Sequence, residues 1–343
     1  MPFRDLVNQR HARMLLQGAL RSGRIAHAYL FVGPSGVGRR TAALAFAQAL
    51  LCSSGGEDAC GTCGACRKVA VGTHPDLRII TPGKTEAGGE RRAVGIEQIR
   101  DLKRDAAYPP YEAKWKVFVI EETDQMRAEA ANSLLKVLEE PPSSMVIILL
   151  AESTAALLPT LVSRAQLVRF TLIPSHEIVQ ALTERAGTPA TQARYLAAMA
   201  GGRIGPALEA AAAGEDSLAR REEVLETLVA VERGDIITRL DAAEALARQK
   251  DGIERWLDIA LWWYRDLVVW QETRDPALLT NLDREKALAE WARRASSKDL
   301  RRAVGAIEEA KEALRRNINP RLVLESLFVV GLASRSAAGR PSG

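Results

Sequence analysis

Gly33-Pro34-Ser35-Gly36-Val37-Gly38-Arg39-Arg40-Thr41 lies between an apolar run, Ala28-Tyr29-Leu30-Phe31-Val32, and an Ala-rich helical stretch from Arg40 to Leu51. Strand, glycine loop and helix, in that order, is the context in which backbone N–H groups and the positive end of a helix cradle a phosphate. The working pattern continues with Lys at position 39, to reach the outer phosphates, and Ser or Thr at 40, to hold magnesium. This chain carries Arg39 and Arg40 instead. Arg keeps the charge of Lys, but its planar fork does not place a compact ammonium between phosphates. Arg40 offers no hydroxyl and adds positive charge where the metal belongs. Thr41 comes one residue late and should face elsewhere on the helix. The scaffold of a nucleotide switch (Gly33, Gly36, Gly38) is therefore present with two working side chains replaced.

Around this loop the chain alternates strands with helices. Residues 3–26 read as a helix that Gly23 ends, with Leu6, Leu15, Leu16 and Leu20 on its apolar side. Asp76–Ile80 reads as a strand and Thr81–Gly89 as a loop. Ile96–Ala106 has Ile96, Ile99 and Leu102 at helical spacing, and Pro109-Pro110 stops it. Lys116-Val-Phe-Val-Ile-Glu-Glu122 is an apolar strand ending in two carboxylates. In nucleotide hydrolases such groups hold magnesium and orient the attacking water, so Glu121 and Glu122 are candidates for that role. The alternative is a buried strand with a solvated acidic end, and the stretch alone does not separate the two. Arg127–Glu140 reads as a helix closed by Pro141-Pro142, and Met145–Ala151 and Leu167–Phe170 as further strands. The alternation implies a mostly parallel sheet covered on both faces. From Pro174 onward the pattern is helical.

All four cysteines fall in one short segment, as Cys52-x7-Cys60-x2-Cys63-x2-Cys66. Clustering of this kind in a reducing compartment favours a metal over disulfides. Four thiolates could converge on one tetrahedral zinc and leave no open position for water, which makes the site structural. Reduced thiols in a loop, or an iron–sulfur cluster on the same residues, are the other readings.

The 343 residues are enough for two or three domains. An apolar fraction of 47% with 26% charged residues is ordinary for a globular protein, and a net charge of +4 is too balanced to argue for nucleic acid by itself. The N-terminus shows no basic leader with an apolar core, and no run of about 20 apolar residues is present, so a cytoplasmic protein without a membrane span is expected. His11, His27, His74 and His176 are scattered and read as structural.

Several motifs fall in one order. They are His27-Ala-Tyr-Leu-Phe-Val-Gly33, the cysteine segment, Asn132-Ser-Leu-Leu-Lys-Val-Leu-Glu-Glu-Pro-Pro142, Leu158-Pro-Thr-Leu-Val-Ser-Arg164, and Asn317-Ile-Asn-Pro-Arg-Leu-Val-Leu-Glu325. Together they resemble the bacterial clamp-loader subunits of the AAA+ class, over nearly the whole chain. The resemblance implies a five-subunit ring that opens a sliding clamp and loads it on primed DNA. It implies tau/gamma-type motor and delta-type subunits as partners, with clamp and DNA reached through the assembly. Motor subunits of the family carry a complete phosphate loop, whereas its stator carries a damaged one; Arg39 and Arg40 fit the stator, with ATP and magnesium not expected in its own site. Motors also carry a lid arginine in a Gly-x-x-Arg-x-Ala-Leu pattern, and here Gly202-Arg-Ile-Gly-Pro-Ala-Leu208 puts Gly205 in that slot, with Arg203 two residues early. Ser163-Arg164-Ala165 resembles the family's Ser-Arg-Cys motif, whose arginine reaches the nucleotide of the neighbouring motor in trans. Arg164 is thus the candidate for a chemical role, with Ala165 a departure.

The resemblance further implies a layout of an α/β domain with its zinc module (1–172), a small helical lid (173–213), a helical collar (214–335) and a disordered tail (336–343). Ile253, Trp256, Leu257, Ala260, Leu261, Tyr264, Leu267 and Val268 form an apolar stripe at helical spacing, read as core, with part of it possible as subunit contact. Arg293-Arg294, Arg301-Arg302 and Arg315-Arg316 read as solvated helix faces. The rival readings are an ATPase motor that uses Arg39 in place of Lys, a subunit that binds nucleotide without hydrolysing it, and a zinc-dependent DNA-binding module.

Overall fold

The computed structural model describes residues 2–83, 93–249 and 252–332. The expected loop from residue 84 to 89 and the expected tail lie outside them. The described chain divides into two compact units, one of residues Met1–Ile178 with Gly202–Pro206, the other of Val179–Gly201 with Ala207–Gly343.

The first unit is built on strands β1 (Ala28–Val32), β2 (Leu77–Ile80), β3 (Lys116–Ile120), β4 (Met145–Ala151) and β5 (Gln166–Arg169). They form one sheet in the order β2-β3-β4-β1-β5, every pair parallel. Its helices are α1 (Arg10–Ser22), α2 (Arg39–Leu51), α3 (Gly64–Ala70), α4 (Ile96–Ala106), α5 (Ala128–Glu139) and α6 (Pro159–Val162). A parallel strand points successive side chains to opposite faces, and with both faces covered the whole strand is apolar. In β1 this is explicit: Tyr29 and Phe31 pack with α1, α2 and α3, whereas Ala28, Leu30 and Val32 pack with α4, α5 and α6. The α/β architecture read from the sequence is the one found.

Because all strands are parallel, their C-terminal ends share one edge. Gly33, Glu121, Glu152 and Phe170 therefore gather there. The opposite edge collects the residues that precede the strands, among them Arg164.

One local expectation was incorrect. The N-terminal segment is not one helix: a 3-10 turn at Phe3–Asp5 precedes α1, and Asn8 and Gln9 between them have φ of 54° and 55°. The cysteine segment contains a helix, α3, which shows no apolar periodicity in the sequence.

Helices α7 (Ser175–Ala186), α8 (Ala190–Met199), α9 (Ile204–Ala212), α10 (Glu215–Arg233), α11 (Ile236–Ala247), α12 (Ile253–Thr273), α13 (Glu285–Arg294), α14 (Ser297–Arg315) and α15 (Pro320–Ser326) follow among the described residues. The second unit is all-helical among the described residues. Its core is the stripe of α12: Trp256, Leu257, Trp263, Tyr264 and Leu267 are buried, with Trp263 5.7 Å from Trp291 and Trp256 5.2 Å from Phe328 between ring centres. Asp266, also buried on α12, accepts hydrogen bonds from the Thr280 and Asn281 amides at 2.9 and 2.7 Å, so its charge is satisfied locally. No described helix is long and apolar enough to cross a membrane.

Candidate functional site

The glycine loop leaves β1 and turns into α2, with Gly38 at the helix N-cap. Three glycines allow the tight path. A Cβ on Gly33 would lie 2.3 Å from the Phe170 carbonyl oxygen. Gly36 has a φ of +77° and Gly38 of +102°, both in the region that favours glycine. Val37 is fixed from outside the loop: Gln9, buried in its left-handed conformation, donates from Nε2 to the carbonyls of Val37 at 3.3 Å and Thr171 at 2.7 Å. The Thr171 amide donates back to Gln9 Oε1 at 3.2 Å.

The replaced side chains have their own partners. Arg40 Nε lies 2.6 Å from Glu121 Oε1. Arg39, with its side chain 13% exposed, places Nη2 3.8 Å from Glu152 Oε1. Burial lowers the pKa of Arg39, and Glu152, Asp124 and Glu122 oppose that shift. Glu152 is itself placed by its backbone amide, which donates to Asp124 Oδ2 at 2.9 Å. Glu122 takes a φ of +50°. The acidic edge that would hold magnesium in a hydrolase thus faces two guanidinium groups. Thr41 is half-buried in the first turn of α2.

The loop is also covered. The Gly205 amide donates to the Gly36 carbonyl at 2.9 Å, and a Cβ on Gly36 would meet the Pro206 ring at 2.8 Å. Gly202, with φ +84°, packs equally closely on Leu172 and Ile173. The segment from Gly202 into the start of α9 thus rests directly on the glycine loop.

Arg164 occupies the other edge of the sheet. Gln166 is level with Tyr29 in the β1–β5 register. Arg164 precedes that level by two residues and Gly33 follows it by four, a separation of roughly 20 Å at about 3.3 Å per residue. Arg164 therefore cannot serve its own loop. Its guanidinium is 3.0 Å from Glu139 Oε1 and 3.0 Å from the Thr160 carbonyl, and the side chain is 36% exposed.

The four cysteine sulfurs all lie within 4.8 Å of one another. Cys52–Cys63 and Cys60–Cys66 are separated by 4.0 and 3.9 Å. Zinc–sulfur bonds of about 2.3 Å in a tetrahedron require sulfurs about 3.8 Å apart, so the arrangement fits that ion. Cys52 follows α2, Cys63 caps α3 by accepting from the Cys66 amide at 3.4 Å, and the Cys60 and Cys63 amides also donate to sulfur. A hydrogen bond from Ser54 and others from backbone amides pull the Cys60 thiol down to about 5, while burial pushes Cys66 up to about 12. A bound cation would deprotonate all four. The 13 residues of α2 separate this cluster from the glycine loop by roughly 20 Å, so the cysteine cluster is no part of a phosphate site.

Gln9, Asp124 and Glu152 were missed in the sequence. Glu152 carried a signal, since it ends an apolar strand as Glu121 does. Gln9 carried none, because its role comes from contacts far along the chain.

Residues 8–174 match the family described as "DNA polymerase III, delta subunit", and residues 215–330 match "DNA polymerase III, delta subunit, C terminal". The chain is 30% identical over 318 residues to DNA polymerase III subunit delta' of Bacillus subtilis, covering 92% of this chain and 94% of that one. It is 38% identical over 140 residues to subunit delta' of Pseudomonas aeruginosa, covering 40% and 41%. A DNA polymerase III, gamma subunit-related protein of Thermotoga maritima aligns in structure over 94% of this chain and 98% of that one, at 18% identity and a TM-score of 0.46.

Proposed function

The chain belongs to the delta' family of DNA polymerase III subunits, and from that premise we propose that it is the stator of a replicative clamp loader, a ring component without ATPase activity of its own. It assembles with tau/gamma-type motors and a delta-type subunit in the cytoplasm, and reaches the sliding clamp and primed DNA through that assembly. The observation that carries the reading is the glycine loop: Arg40 is paired with Glu121, Arg39 faces Glu152, and Gly205 is bonded to Gly36. A phosphate would have to displace the acidic partners of both arginines and the start of α9 that lies against the loop.

Arg164 supplies the link to chemistry. It lies on the sheet edge remote from its own loop, and in trans it would stabilise charge developing on a neighbour's nucleotide, as arginine fingers do. The cysteine cluster holds a structural zinc that pins the segment between α2 and α3. Residues 173–213 form the lid and 214–335 the collar through which the ring is held.

The test is calorimetric titration of the isolated chain with ATP, with and without magnesium. The stator reading expects no binding at millimolar nucleotide. Micromolar binding accompanied by turnover that Arg39→Ala abolishes would replace it with the motor.

A further inference from the structure

The loop before β3, Tyr108-Pro109-Pro110-Tyr111, exposes two aromatic side chains, 68% and 76% accessible. It is held by two buried charges. Asp76 (1% exposed) accepts from the amides of Tyr111, Glu112 and Ala113 at 2.6, 2.9 and 3.0 Å. Lys116 (2% exposed) donates from Nζ to Asp105 Oδ1 at 2.7 Å, to the Asp105 carbonyl at 2.8 Å and to the Tyr108 carbonyl at 3.5 Å, and sits 5.4 Å from the Tyr111 ring centre. Burying charge is expensive, and two prolines stiffen the loop further. The tyrosines are therefore presented on a backbone that has already lost its freedom.

This loop precedes a strand, so it lies on the same sheet edge as Arg164. Three strand spacings separate β3 from β5 in the sheet order, or roughly 14 Å at about 4.8 Å each. A cleft of about 400 Å³ lies on the same edge, lined by Lys103 and Ala107 at the end of α4 and by Lys136, Glu139 and Pro142. Glu139 is the residue that pairs with Arg164. Lys and Arg balance Asp and Glu between residues 97 and 115, four against four, which disfavours nucleic acid as the occupant. Exposed tyrosine on a neutral, rigid surface is the composition of a protein contact.

We propose that the Tyr108–Tyr111 loop is a preformed anchor for the neighbouring ATPase subunit, seating that subunit so that Arg164 meets its nucleotide. This rests on the trans reading of Arg164. Ordering costs that usually oppose association are already met in the free chain, so the tyrosines contribute to affinity and the arginine to turnover.

The test uses the reconstituted complex, reading both the affinity of this chain for its ATPase partner and the ATP turnover at saturating chain. Tyr108→Ala and Tyr111→Ala are each expected to weaken association about tenfold, as a hot-spot aromatic does, with turnover recovered at saturation. Arg164→Ala is expected to leave association unchanged and to lower turnover at saturation. Met14→Ala, which trims an exposed apolar side chain on α1 of the same unit, is expected to change neither. Wild-type affinity in both tyrosine variants overturns the anchor, as does an equal loss in Met14→Ala. Weakened association in the tyrosine variants with undiminished turnover in Arg164→Ala supports the anchor and removes the arginine from the chemistry.

Discussion

The Arg40 guanidinium lies 2.6 Å from the Glu121 carboxylate, across the space where a metal would sit between loop and acidic strand in a nucleotide hydrolase. The pair sets a cationic side chain directly against Glu121. It is partly solvated, with Arg40 59% exposed, so it contributes only about 0.2–1 kcal/mol to folding.

Restoring the motor side chains should therefore be insufficient. Arg39→Lys with Arg40→Thr frees Glu121 and keeps a cation near Glu152, but leaves Gly205 on Gly36 and Pro206 above it. The double variant is expected to fold normally and still to bind ATP no better than about 1 mM by calorimetry. Micromolar affinity would show that the two arginines alone close the site.

Gly33→Ala tests the other side of the loop. Its Cβ would lie 2.3 Å from a backbone oxygen of Phe170, whose amide is itself bonded to Val32 at 2.7 Å, so neither side yields cheaply. A loss of about 1–3 kcal/mol is expected in chemical denaturation. Gly18→Ala, in mid-helix with open space around it, should go the other way by about 0.5–1 kcal/mol.

Elements decided by local pattern were legible. Ile96–Ala106 and Met145–Ala151 have the bounds that spacing implied, because helical periodicity and a buried apolar run are properties of the segments themselves. Phe3 to Gln9 was misread for the opposite reason. Asn8 and Gln9 adopt left-handed backbone so that Gln9 can reach Val37 and Thr171, a tertiary demand that overrides helix propensity. Helix α3 was invisible because it is short and only Cys66 and Val69 of it are buried, too few positions to show an apolar stripe. The replaced Lys and Ser/Thr positions were plain in the sequence; that the replacements would face Glu121 and Glu152 was not, since those acids come from distant strands.

His74 should make stability fall in mild acid. It is buried, and its Nδ1 accepts from the Asp76 amide at 3.1 Å, so burial lowers its pKa against the pull of Glu112 and Asp76. A histidine held below its unfolded value of about 6.5 costs nothing above that pH. As pH falls below it, the unfolded chain takes up the proton first and the folded state loses ground until the folded pKa is passed. Denaturation between pH 7.5 and 5 should show this slope, reduced in His74→Gln. An unchanged slope in the variant would assign the acid sensitivity to carboxylates.

Loss of a metal from the cysteine cluster should be felt in the segment between α2 and α3 before it is felt in either helix or in the sheet. Cys66 and Val69 are buried with Phe46 and Leu50 of α2 in one apolar cluster, and the Cys66 carbonyl accepts from the buried Gln48 side chain at 2.9 Å. The segment from 53 to 62 has no such packing along most of its length; Asp58, which accepts from the Phe3 amide at 2.9 Å, and buried Ala59 tie it at one point, and a metal shared by the four sulfurs would tie it at the rest. Native protein is expected to carry one zinc per chain by elemental analysis, and to release it to a strong chelator with four thiols becoming titratable. Metal-free protein, or Cys63→Ser, should then be cut by protease between Cys52 and Cys63, with a stability loss on the order of 2–5 kcal/mol, as for the loss of a structural cross-link. Nucleotide binding should be unaffected, since α2 holds the two sites apart. Purified protein that lacks metal and resists protease equally would leave the cysteines as packed thiols, and iron with visible absorption would make them a cluster site.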